Sequence, residues 1–197
     1  MKKIFLLCLS AALVFAAGCK SEKHATAPTG DPQSLTGEGW EFFEVGEYTN
    51  ALAKFRDATA ADAGYSEAWT GIGWTQLRLL QTAEALAAFQ EALRISWNSN
   101  DAQAGIAFAY RATVEYVTAD SAAATLLARS SIWVFIHDET VNRQDLIVLQ
   151  AACRYLTGNY AAALAALQLV EPDFNVDVST ADGRVRLGAR IEEWTLR

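Results

Sequence analysis

Side chains suited to nucleophilic or metal chemistry are scarce in this chain: three cysteines, Cys8, Cys19 and Cys153, and two histidines, His24 and His137. Cys153 lies in the small-residue stretch Ala151-Ala152-Cys153 of a predicted helix, the setting of a buried structural thiol. A nucleophile needs a histidine and an acid beside it, and no such set is spaced along the sequence. His137 stands next to Asp138 and Glu139, but adjacent acids on a helix point to different faces, as do Glu192 and Glu193. Phosphate loops, nucleophile elbows and paired-histidine zinc spacings do not occur. Gly71-Ile72-Gly73 supplies two of the three glycines of a dinucleotide turn, yet it falls inside a predicted helix, where close helix packing explains it. The expectation is a protein that is not an enzyme and needs no metal or cofactor.

The first 18 residues read as an export signal. Lys2 and Lys3 precede the apolar run Ile4 to Ala17, and Ala16-Ala17-Gly18 forms a small-residue cleavage site before Cys19. Cysteine directly after Ala-Ala-Gly resembles the lipobox of bacterial lipoproteins, with Ala16 where leucine is commoner. The resemblance implies a diacylglyceryl group on Cys19, cleavage before it and acylation of the new amino terminus; two or three acyl chains anchor stably. Lys20, in place of the aspartate that favours inner-membrane retention, implies the outer membrane of the cell envelope. Nothing after Cys19 approaches the about 20 apolar residues of a spanning helix, so contact with the membrane is expected through the lipid on Cys19 only. Residues 19–31 read as a polar tether containing Pro28 and Gly30. Without Lys2 and Lys3 the chain has 14 basic and 23 acidic side chains, a net charge of −9. That balance argues against nucleic acid and against a domain lying flat on anionic lipid.

From residue 32 onwards the organising feature is a period of 34 residues. Trp40, Trp74 and Phe108 are 34 apart, as are Gly39/Gly73, Ala51/Ala85, Phe55/Phe89 and Ala58/Ala92. Such a repeat signals helix–turn–helix units that stack because none buries its own apolar face alone. Expected helix pairs are 32–45 with 48–61, turning at Gly46, and 66–80 with 82–96, capped by Ser66 and Thr82. Asp31-Pro32 marks the first helix start. The next turn signature, Gly158-Asn159-Tyr160, lies 112 residues beyond Gly46, ten more than three periods. The simplest placement lengthens the third pair to 101–117 and 120–136, with Thr118-Ala119-Asp120-Ser121 at its tip and the remainder looping through His137-Asp138-Glu139. A fourth pair follows at 143–157 and 160–171, and Leu187, Ile191 and Trp194 line one face of an amphipathic helix over 180–195.

The order Trp69, Ile72-Gly73, Ala85, Phe89, Ala92, and in the first unit Gly39, Ala51, Phe55, Ala58, resembles the tetratricopeptide (TPR) repeat. The resemblance implies an all-α fold, a right-handed superhelical solenoid of antiparallel helix pairs over 32–177, with 178–197 as a capping helix. It also implies that the residue after the helix-A glycine faces a concave groove. Trp40, Trp74 and Phe108 hold that position, and Phe43, Leu77 and Tyr155 share the strip. The family's carboxylate-gripping Asn and Lys are replaced here by aromatics. The expected function is a lipid-anchored envelope adaptor that takes a protein or peptide segment in its groove. A second expectation is glycan binding, with Trp40 and Trp74 as stacking platforms.

Overall fold

The computed structural model describes residues 30–196. The expected signal segment, Cys19 and the tether as far as residue 29 lie outside the described residues. Among these there are nine helices: α1 (Pro32–Glu44), α2 (Tyr48–Ala61), α3 (Ser66–Arg78), α4 (Thr82–Ile95), α5 (Asn100–Ala112), α6 (Tyr116–Arg129), α7 (Arg143–Leu156), α8 (Tyr160–Leu167) and α9 (Ala181–Thr195). Each helix packs on the next, and α1, α3, α5 and α7 also touch in series, so four antiparallel pairs stack into one solenoid.

Glycine and phenylalanine set the stacking distance. Phe55 of α2 enters a slot between Gly39 of α1 and Gly71 of α3; a Cβ on either glycine would stand 2.6 or 2.3 Å from its ring. Phe89 of α4 repeats this between Gly73 and Gly105, at 2.5 and 2.2 Å. Both rings are fully buried. In the third unit both partners change together: Ala107 replaces the glycine and Ala123 the phenylalanine, and both are fully buried. The smaller ring-site residue leaves room for the extra methyl group, so close packing is kept.

Every pair turns through one residue in the left-handed region: Gly46 (φ 80°), Leu80 (φ 61°), Val114 (φ 68°) and Gly158 (φ 81°). The following N–H reaches back to the helix end, as in Glu47 to Phe42 O (2.8 Å) and Glu115 to Tyr110 O (2.9 Å), closing a Schellman turn. The third hairpin is therefore not lengthened as the sequence suggested. Its turn is at Val114, one period after Leu80, and all ten extra residues fall between α6 and α7. The turn escapes a sequence reading because neither Leu80 nor Val114 announces positive φ. A β-branched residue there is strained, so Val114→Gly is expected to stabilise the protein by about 1 kcal/mol, read as a higher urea midpoint with unchanged m-value.

Helix starts are only partly as expected. Asp31 caps α1, accepting from Ser34 N at 3.1 Å with Pro32 in the first turn. Ser66 and Thr82 are not caps but first helical residues, behind Tyr65 and Gln81. The Ser66 hydroxyl donates instead to Ala92 O of α4 (3.0 Å). It thus ties the two helices of this pair together.

Near the C-terminus a second cluster of buried residues joins Ala151, Ala152, Ala163, Leu167, Leu187 and Ile191. α9 leans mainly on α7 rather than on α8, so it is rolled toward the concave side. Gly188 permits this, since a Cβ there would meet the Tyr155 hydroxyl at 2.5 Å. Glu171 pins the other flank, accepting from Arg190 Nε (2.7 Å), Arg190 Nη2 (2.8 Å) and Trp194 Nε1 (2.8 Å).

Candidate binding groove

α1, α3, α5 and α7 form the concave wall, and the repeat brings the expected positions onto it in rows. One row runs Trp40, Trp74, Phe108, Ala152; the next runs Phe43, Leu77, Arg111, Tyr155. The spacing in each is 34, 34 and then 44 residues, the last step carrying the insertion.

That insertion fills the first half of the groove. After α6 the chain crosses the wall as a narrow hairpin. Val134 bridges Asn142, Phe135 N donates to Val141 O (2.9 Å) and Arg143 N to Trp133 O (2.9 Å). Extended backbone alternates its side chains, so Trp133 and Phe135 point inward and are buried, while Ile132, Val134 and Ile136 point out. Phe135 stacks on Trp74 (centroids 4.3 Å apart) and meets Trp40 and Phe43 edge-on, each at 5.9 Å. His137 lies flat on Trp40 at 3.8 Å.

Polar contacts hold the strap at each end. Trp133 Nε1 donates to Asp101 Oδ1 (2.7 Å), Asp138 pairs with Arg78, and His137 Nδ1 is 2.8 Å from Glu44 Oε1. Asp138 Oδ1 also accepts from Thr140 N (3.2 Å), closing the hairpin tip.

Burial pushes the Asp101 carboxyl above the usual range, opposed by the Trp133 hydrogen bond and by His137, while Glu67 adds to the rise. Its ionised form is therefore costly in the fold, and that cost is absent when the group is protonated. Asp101→Asn keeps an acceptor for Trp133 without the charge. It is expected to gain on the wild type as pH rises above about 4, the unfolded value. Asp101→Ala orphans a buried indole N–H and should cost about 1–3 kcal/mol. Urea titrations of both variants at several pH values check the pair.

Of the six residues assigned to a partner groove, Trp40, Phe43 and Trp74 are thus covered by the chain's own strap. The glycan expectation needed exposed faces on Trp40 and Trp74, and those faces are taken by His137 and Phe135. The other three line what is left open. Leu77 and Phe108 border a cavity of about 280 Å³ with Trp74, Arg78 and Val141. Tyr155 borders one of about 350 Å³ between α7 and α9, with Arg111, Ile191 and Leu196. Phe108, Arg111, Val148 and Trp194 surround a third, smaller pocket.

Arg111, Val141 and Trp194 are groove residues that the sequence reading missed. Arg111 follows Leu77 by one period, so register alone could have found it. Val141 and Trp194 carry no such signal, because the strap and α9 lie outside the repeat. Arg111 Nε is buried without a hydrogen-bond partner. Cys153 is fully enclosed, and burial pushes its thiol up to about 11, which leaves it inert. Among the described residues no His, Cys, Asp or Glu side chains group as metal ligands, and no helix is long and apolar enough to cross a membrane.

Solved structures supply the comparison. The chain is similar to YrrB, described as a TPR protein with an unusual peptide-binding site: 17% identity, 84% of this chain and 78% of that one, TM-score 0.62. The fold is a tetratricopeptide-type solenoid. MamA is also similar, at 13% identity over 84% of this chain and 80% of its own, TM-score 0.58. So is the first TPR of Spaghetti (RPAP3) bound to an HSP90 peptide, at 16% identity over 70% and 93%, TM-score 0.51. No family model matches the sequence, and no curated protein does. At these identities the likeness establishes the TPR-type fold alone, and it leaves the site and its ligand to be argued from this chain's own residues.

Proposed function

We propose that this protein is a lipid-anchored adaptor of the bacterial cell envelope, held by Cys19 at the outer membrane, which takes an extended segment of a partner protein in the second half of its groove. The observation that carries this reading is the strap. It is an extended segment seated on the concave wall through alternating aromatic side chains, which is how a TPR-type wall would receive a foreign segment. The strap's buried rings cover the wall at α1 and α3, leaving Phe108, Arg111, Val148, Tyr155 and Trp194 around clefts in which Arg111 shares the lining with Asp145 in one and with Glu192 in the other. Aromatic and Arg side chains of this kind dominate binding energy where they anchor a partner. The peptide bound to the RPAP3 domain and the peptide site named for YrrB lend support by analogy of fold.

A photo-crosslinking residue at Phe108 or Tyr155 is expected to capture one discrete envelope protein, while the same residue at the exposed Asp57 of α2 captures none. Capture of the same species at all three positions would overturn the groove assignment. For the anchor, Cys19→Ser is expected to abolish labelling by a radioactive fatty acid and to release the protein from membranes; persistent labelling would remove that part of the reading.

A further inference from the structure

We propose that the edge of the solenoid where the chain enters α1 rests on the bilayer surface, with Trp97, Ile132 and Ile136 in the interfacial layer. The proposal builds on the lipid anchor at Cys19 and names what the anchored domain does next.

The edge can be traced contact by contact. α1 and α3 run in the same direction and touch, so their starts lie on one edge. Ser66 bonds to Ala92 O in the last turn of α4. Arg129, ending α6, donates to Asn100 Oδ1 (2.9 Å), Trp97 O (3.3 Å) and Ser99 O (3.4 Å) at the start of α5. Ile136 shares a cavity with Ser66, Ser96 and Ser99. Helix starts, the loop carrying Trp97 and the outer face of the strap therefore form one rim.

On that rim Trp97 is 77% exposed, Ile132 85% and Ile136 71%. The chain has six tryptophans, and Trp97 is the exposed one; the other five are buried or half-buried. An indole with one polar N–H beside bare aliphatic side chains is the composition that settles at a membrane–water interface. From Cys19 to Asp31 the tether spans at most about 40 Å, so the anchor keeps this rim within reach of the lipid. The opposite edge carries Val45, Leu80 and Val114, also exposed. It lies about 20 Å further away, the length of α1, and offers no exposed aromatic ring. Arg94, Arg129 and Arg143 on the near rim are offset by Asp31, Asp62 and Glu67. Docking is accordingly apolar, suited to zwitterionic lipid and indifferent to salt, and it presents the domain on its edge with the groove open to one side.

Both cores draw on residues between Trp40 and Ile191, so the chain from Lys20 onwards keeps every packed element. That form, with a hexahistidine tag in place of the lipid, is tethered to phosphatidylcholine vesicles containing a nickel-chelating lipid. An environment-sensitive label is placed at Trp97→Cys or Leu80→Cys; the enclosed Cys153 does not compete for it. The label at position 97 is expected to shift to the blue and to be quenched by lipids brominated near the headgroup, with the label at 80 silent. Ile132→Ser with Ile136→Ser should cut the quenching at 97 several-fold without moving Tm. A silent label at 97, or quenching at 80 instead, overturns the proposal. So does a shift at 97 that follows protein density rather than brominated lipid, which would mark self-association. Because the tag replaces the acyl chains, failure here leaves the Cys19 labelling result standing, and the reverse also holds.

Discussion

Phe135→Ala is expected to destabilise the protein by about 3–5 kcal/mol, a penalty that belongs to a core residue rather than to a loop. Phe135 is fully buried and touches Trp40, Phe43 and Trp74 at once. Removing it opens a cavity whose other walls are two indoles and a phenyl ring, none of which can relax far because Phe55 and Phe89 wedge their helices apart. Tryptophan emission should shift to the red as water reaches Trp40 and Trp74, and urea denaturation gives the magnitude. A variant with wild-type stability and unchanged emission would show that the strap lies on the wall without being part of the core. The result also decides what a partner can reach. If the strap is core, the first half of the groove stays closed, because the tethered strap competes at an effective concentration no free segment matches.

Truncation after Asp182 is the second large effect. It removes Leu187 and Ile191, each buried against α7 and α8 and worth about 1.5–3 kcal/mol, together with the Arg190 and Trp194 bonds to Glu171. The exposed surface is then the Ala- and Leu-rich side of the fourth pair. A fall in Tm and a concentration-dependent rise in mass by light scattering are expected, as for any solenoid whose last repeat loses its covering. A monomer that melts as the wild type does would show that α9 serves the groove alone. The intermediate case is also informative, because α9 is rolled onto α7: Trp194→Ala changes the groove wall while leaving Leu187 and Ile191 in place.

What the sequence determined by itself is the repeat. The positions of α1 to α4, the turn at Gly46 and the pairing of glycine with phenylalanine follow from contacts between neighbouring helices. Those contacts recur at a fixed offset, so their residues recur too. For the same reason the rows of the concave wall were legible, including the row that Arg111 continues. Ser66 and Thr82 were misread because a hydroxyl at a helix start has two uses, and only the neighbouring helix selects between a cap and a bond across to the next element.

Tertiary structure alone decided where the ten extra residues go. Turn chemistry could not mark Leu80 or Val114, since the left-handed residue in a Schellman turn is imposed by the packing of the two helices on either side. Nor does an insertion carry a period to reveal its neighbours. The sequence reading carried a helix on to residue 136, because the alternation of Trp133, Phe135 and His137 is too short to mark extended backbone; what holds it extended is the apolar wall assembled from Trp40, Phe43 and Trp74, 59 to 97 residues earlier in the chain. A groove and the segment that fills it are long-range partners, and their match exists only once the solenoid has folded.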